Sequence, residues 1–358
     1  MESMNFSLRD IKLSVSAKEN SINRELKKIL PVGSSLPHKI KYSVDFSFFQ
    51  DVRRYLPPKL STCAVYPPNW FSMSGKPLYL ISSDIKNYVI WIDDCLFPLS
   101  KRALRSRDSI FSFKPNETRC TFSNNTIIYS RNDFIIKLNI KNREVEVKIK
   151  KYNSNLLFKK KPISECFFRL AIHDAIRTLL SFILLLERRG LLIHSSSVFK
   201  RNSAYLFVGK RGIGKSQIFN FLTKKKGFLP LNDEANIVFI GNSAPNLISG
   251  GIGSFEKKNS PGYFYNLKSP IPLKSIYFLR KSDSSYAKKQ DVAVALKELI
   301  QQQFFFCSSS FLNDRVINMC NYLLKRSSLY ILNVKKNDSD IAEIIENGTR
   351  TICYCNEY

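Results

Sequence analysis

The sequence predicts an α/β protein with a β-rich N-terminal region, and three observations predict it. From about His38 to Tyr152, short runs alternate polar and apolar residues, as strands with one buried face do. After Pro162, helical and strand patterns take turns, which is the order of an α/β layer. Ten of the 13 glycines fall between Gly190 and Gly262, so sharp turns and close backbone approaches are concentrated there.

Taken in chain order, the first thirty or so residues are polar and lack a clean period. They read as a loosely ordered lead-in over residues 1–37. KIKYSVDF (39–46), PLYLISS (77–83), NYVIWID (87–93), TIIYS (126–130), DFIIKLNI (133–140) and EVEVKIKKY (144–152) read as strands, separated by Pro, Asn and Asp. Lys141–Arg143 stands between two of these runs as a hairpin turn, and Trp70 and Trp91 are expected in the core. These strands make residues 38–160 a β-rich N-terminal domain, and residues 161–358 the second domain. Pro162 opens a helix from Ile163 to about Arg189, with Gly190 as its C-terminal cap. The strands LLIHSSSVF (191–199) and AYLFV (204–208) follow, then a helix from Lys215 to Lys226 and the strand GFLPL (227–231). Helical zones at Val292–Gln303 and Asp314–Lys325, a strand LYILNV (329–334) and a short helix near Ile341–Ile345 complete the chain.

Composition narrows the class. The formal net charge of +27 is spread over both halves, which fits a solvated surface in a Lys-, Asn-, Ile- and Phe-rich chain. No aromatic-interleaved basic motif accompanies it, so nucleic acid is not the expected partner, although the surface attracts anions. The uninterrupted apolar stretch Thr178–Leu186 is far short of the roughly 20 residues a membrane-spanning helix needs. The eight cysteines show no CxxC pair and no His at zinc spacing, and the N-terminus lacks a secretory pattern. Reduced thiols in a cytoplasmic protein are expected.

Residues 209–216 read Gly-Lys-Arg-Gly-Ile-Gly-Lys-Ser, the complete G-x-x-x-x-G-K-[ST] phosphate loop, between an apolar strand and an amphipathic helix. Gly209, Gly212 and Gly214 let backbone N–H groups converge on phosphate oxygens, with Lys210, Arg211, Ile213 and Gln217 as their neighbours. Lys215 is expected on the β and γ phosphates, Ser216 on Mg²⁺, and the positive end of the following helix at the anion. At the tip of GFLPL stand Asp233 and Glu234. Beside a phosphate loop, one carboxylate can hold Mg²⁺ and the other can take a proton from an attacking hydroxyl. His194 shares a strand face with Leu192, Ser196 and Val198, where a histidine serves either the core or the site.

The set LLIHSSSV, YLFVGKRGIGKSQ and GFLPLNDEANIV resembles the HPr kinase/phosphorylase superfamily, particularly its smaller HPr kinase-related members. The likeness covers about residues 165–240, and PIPLKSIYFLR (270–280) stands where those kinases place their next strand. The resemblance implies a P-loop kinase core related to phosphoenolpyruvate carboxykinase, using ATP and Mg²⁺. It implies Asp233 as base toward a Ser hydroxyl, Glu234 as metal ligand with Ser216, and His194 near the phosphates. Two features depart from the family: the acidic pair is Asp-Glu rather than Asp-Asp, and Lys210-Arg211 follow the first loop glycine. The Glu then Arg-Gly-Leu-Gly signature for reading HPr is also missing, with GGIGSFEKK (250–258) the nearest stretch. The expected partners are therefore a nucleoside triphosphate and a peptide, protein or small hydroxylated acceptor. A homo-oligomer is compatible with this reading. A nucleotide-binding regulatory module with little or no turnover is the alternative.

Overall fold

The computed structural model describes residues 3–8, 11–29, 40–49, 79–80, 88–89, 111–112, 119–123, 125–131, 133–150, 157–158, 161–210, 212–241, 245–248, 271–303, 310–335 and 338–347. It is a mixed α/β structure with two large mixed sheets. The chain divides into two compact units, Met1–Leu179 with Phe305–Ser310, and Leu180–Phe304 with Phe311–Tyr358. Trp70, Trp91, Arg211 and the 250–258 stretch lie outside the described residues.

The first unit carries β1 (Ser3–Leu8), β2 (Ile11–Ala17), α1 (Asn20–Ile29), β3 (Ile40–Phe49), β4 (Tyr79–Leu80), β5 (Tyr88–Val89) and β6 (Phe111–Ser112). It continues with β7 (Arg119–Ser123), β8 (Thr126–Arg131), β9 (Phe134–Asn139), β10 (Glu144–Lys150), β11 (Leu157–Phe158), β12 (Lys161–Pro162) and the start of α2 (Ile163–Leu186). Its main sheet runs β1-β2-β3-β10-β9-β8-β7, with parallel pairs β2–β3 and β3–β10 and antiparallel pairs elsewhere. Strict alternation puts Ile11, Leu13, Val15, Val44, Phe46, Ile136, Leu138, Val145 and Val147 on a buried face.

The N-terminal stretch differs from expectation: residues 3–8 and 11–29 hold two strands and a helix rather than a loosely ordered lead-in. Ile11, Leu13, Val15 and Ala17 are buried between Lys12, Ser14 and Ser16, and α1 buries Ile22 and Leu26. That period-2 signal is present in the sequence but is carried by one seven-residue strand beside a charged helix. Within α2, the polar residues that interrupt the apolar pattern are paired inside this unit. Arg131 donates to Asp174 Oδ2 at 2.7 Å, and Arg169 lies 3.4 Å from Glu25. Among the described residues no helix is long and apolar enough to cross a membrane.

The second unit holds the end of α2, β13 (Gly190–Lys200), β14 (Ser203–Val208), α3 (Lys215–Lys225), β15 (Leu229–Asn232), β16 (Ala235–Ile240) and β17 (Pro245–Ile248). It is completed by β18 (Ile271–Lys281), β19 (Tyr286–Lys289), α4 (Val292–Ile300), α5 (Ser310–Lys325), β20 (Ser328–Val334) and α6 (Ile341–Asn347). β13 is the hub. β14 runs antiparallel on one side, β15 and then β16 antiparallel on the other. β16 pairs β17, β17 pairs β18, and β18 runs parallel to both β14 and β20, so five strands close a circuit.

One face of β13 and β14 carries Val198, Tyr205 and Phe207, covered by Ile218, Phe219 and Leu222 of α3 and by Ile341, Ile344 and Ile345 of α6. Gly190 is not the cap of α2. The helix stops at Leu186, Arg188 takes the left-handed turn at φ 53°, and Arg189 N–H closes on Leu184 O at 2.8 Å. Gly190 opens β13 because a Cβ there would sit 2.3 Å from Val238 O of the neighbouring strand.

Candidate functional site

The Gly209–Ser216 loop leaves the sheet at Val208 and enters α3 at Lys215. Gly212 (φ 76°) and Gly214 (φ 114°) hold left-handed backbone that a side chain would strain, and Gly214 caps α3. Ile213 N–H donates to Lys210 O at 3.3 Å, and Ile218 N–H to Gly214 O at 3.0 Å. Lys215 is buried and its ammonium folds back into the loop, donating to Gly209 O at 2.7 Å and Lys210 O at 3.4 Å. Lys210, Ser216 and Gln217 are exposed. A buried cation held against loop carbonyls, at the start of a helix, suits an anion.

The acids are set by strand register. Ser197 pairs Asn232 and His194 pairs Ala235, so Ser196 faces Asp233 and Ser195 faces Glu234. On the other side of β13, Ser195 pairs Val208 and Ser196 pairs Phe207. The loop's exit, the serines and the acids thus lie in line across three strands. At about 4.8 Å per strand, Val208 and Glu234 are about 10 Å apart. Ser196 Oγ donates to Asp233 Oδ1 at 2.7 Å, and both residues are buried. Asp233 is therefore on the face of β13 that α3 covers, together with Ser196 and, two residues back, His194. His194 is half-buried, and its N–H donates to Gln302 O at 2.9 Å.

The Asp233–Glu234 bend is held by Asn232, whose Oδ1 accepts from Glu234 N–H at 2.8 Å and Ala235 N–H at 3.0 Å. On the opposite face of β13, Asn236 Nδ2 donates to Ser195 O at 2.6 Å and to Ser195 Oγ at 3.0 Å, while its Oδ1 accepts from Ser197. Ser195, Ser197 and Asn236 are wholly buried. Asn232, Asn236 and this network belong to no motif that the sequence shows. The signal is three consecutive serines in a largely apolar strand, with asparagines on either side of the acids.

For Mg²⁺, the Ser216 hydroxyl and the half-buried Glu234 carboxylate are hard oxygen donors, which suits an ion that binds few protein groups and keeps waters and phosphates. Among the described residues no cluster of three or more His, Cys, Asp or Glu could hold a metal by itself. A cavity of about 420 Å³, lined by Lys226, Asp340, Glu343 and Glu346, lies at the C-terminal end of α3, at the other end of the helix from the loop, and contains none of these residues. No family model matches this chain, and no curated protein matches it.

Proposed function

We propose that this chain is an ATP- and Mg²⁺-dependent kinase of the HPr kinase-related type, transferring the γ-phosphoryl group to a hydroxyl of a seryl peptide, protein or small Ser-like molecule. The observation that supports it is the register just described, which sets Val208, where the loop leaves the sheet, and Glu234, next to the buried Asp233, about 10 Å apart across three strands. The loop N–H groups bind the phosphates, and Lys215 exchanges its bonds to Gly209 O and Lys210 O for phosphate oxygens. Ser196 fixes one oxygen of Asp233, and the carboxylate takes the proton of the acceptor hydroxyl. The acceptor oxygen bonds to the γ-phosphorus as the bond to the bridging oxygen breaks, and the nucleoside diphosphate leaves with that electron pair. His194 stands beside the transferred group. Ser216 and Glu234 would hold Mg²⁺, which neutralises phosphate charge when bound. Most of the rate comes from positioning and electrostatics. Such a kinase, with Cys320 as a buried thiol outside any disulfide, fits the cytoplasm.

Replacing Lys215 by Ala removes a charged donor, so nucleotide affinity measured by calorimetry should fall at least about tenfold. Unchanged affinity would sink the assignment of the loop. Tight binding without transfer from labelled ATP to a seryl peptide would return the chain to a regulatory module.

A further inference from the structure

After α4 the chain makes two tight turns, Gln302 N–H to Leu299 O at 3.1 Å and Gln303 N–H to Ile300 O at 3.2 Å. It then runs against β13 through a bridge between Ile193 and Gln303 and the bond from His194 N–H to Gln302 O. β14 stops pairing with β13 at Ser195–Val208, so the next residue, His194, has Gln302 opposite it rather than the phosphate loop. Opposed residues of an antiparallel pair share a face, with Cβ atoms about 5 Å apart. Gln302 therefore belongs to the face of His194, Ser196 and Asp233.

Gln302 is only 8% exposed. Its neighbour Gln303 satisfies its own amide, donating from Nε2 to Leu299 O at 3.2 Å. The Gln302 carboxamide makes no hydrogen bond among the described residues. An amide with two donor hydrogens and an acceptor oxygen is thus left without a protein partner on the face of β13 that carries Ser196, the hydrogen-bond partner of the proposed base.

We propose that Gln302 holds the phosphoryl acceptor by pairing its carboxamide with a peptide group flanking the acceptor hydroxyl. This rests on the kinase reading for the identity of the hydroxyl. The phosphates already have the loop and Lys215, whereas the acceptor must bring its hydroxyl to Asp233 and so lays its neighbouring groups along this face. A carboxamide offers N–H and C=O side by side, the complement of a peptide group. Free serine would bring an ammonium and a carboxylate in place of the peptide groups that a carboxamide complements. The site therefore reads seryl peptides in preference to free serine.

The test is calorimetry on the full chain with magnesium ADP present, using N-acetylserinamide and free serine as probes. Wild type should bind the capped probe at least tenfold tighter than free serine. Gln302→Met, equal in length and without the amide, should weaken the capped probe at least tenfold and leave nucleotide affinity within about twofold. Gln302→Glu, which keeps an oxygen but loses the donors, should show the same loss and serves if the Met variant does not fold. Equal probe binding in variant and wild type, or none in wild type, overturns the inference. Nucleotide binding by wild type is scored separately: its absence sinks the kinase reading, and its presence with an indifferent Gln302 sinks only this assignment.

Discussion

The seven-stranded sheet of the first unit and the β13-centred sheet of the second treat polar side chains in opposite ways. In the first, alternation turns the polar residues of β2, β9 and β10 away from the core. The charges that are buried, such as Arg131 with Asp174, have opposite charges beside them. In the second, β13 is buried on both faces for most of its length and carries three wholly buried serines. Those hydroxyls meet Asp233, Asn236 and backbone carbonyls instead of water. A strand that buries polar groups has to satisfy each one internally, and such departures from simple patterning collect where chemistry is done.

The sharpest way to break that contrast is Asp233→Asn. The amide keeps the shape and the bond to Ser196 but cannot take a proton, so transfer should fall by about 10³-fold with nucleotide binding retained. A loss below tenfold, measured with labelled ATP, would make the buried acid structural, like those of the first unit. Next, Asn236→Ala strips partners from Ser195 and Ser197 and should cost about 3 kcal/mol in urea unfolding. A cost near zero would mean that the network is not a network. Asp174→Ala tests the first unit. Arg131 keeps Asp133 as a partner, so the expected loss is smaller, about 2 kcal/mol, with nucleotide affinity unchanged. A change in nucleotide affinity would erase the division of labour between the units.

The smallest effect is one of pH. Burial pushes the Cys320 thiol from 9.0 up to about 12, and pushes the Tyr277 hydroxyl of the same unit upward as well. The folded state then keeps a thiol proton that the unfolded chain loses above pH 9.0, so stability is intact below that value and falls as pH rises toward 12. A melting temperature that holds steady from pH 8 to about 10.5 would contradict this burial.

Much of the second unit was legible because its signals are long or exclusive. The loop motif, the strands β13, β14, β18 and β20, and the helices α3 and α5 each carry a strong period or an unambiguous spacing. The acids were legible by their place at a strand tip after the loop. What escaped depended on partners distant in sequence. Asn236 reads as an ordinary strand residue until it meets Ser195 and Ser197, some forty positions earlier. Gln302 reads as the tail of a helix predicted to run to Gln303, and only the stop of α4 at Ile300 turns it toward β13. Gly190 follows the usual rule for a helix end, yet the neighbouring strand's carbonyl is what forbids a side chain there.

The register of β13 also sets which changes of length the chain tolerates. One residue inserted between His194 and Val198 would turn Ser196 to the Asn236 side and aim Ser195 or Ser197 at Asp233, while moving the loop's exit one position along the acids. Every residue type would survive and the alignment would be gone. The turn at Arg201–Asn202, two residues in left-handed backbone between Lys200 and Ser203, lies beyond that ruler. Lengthening it leaves the pairs Ser195–Val208 and Ser196–Phe207 free to re-form. Natural or engineered length variation in this hairpin should therefore collect at its turn and stop short of Val198.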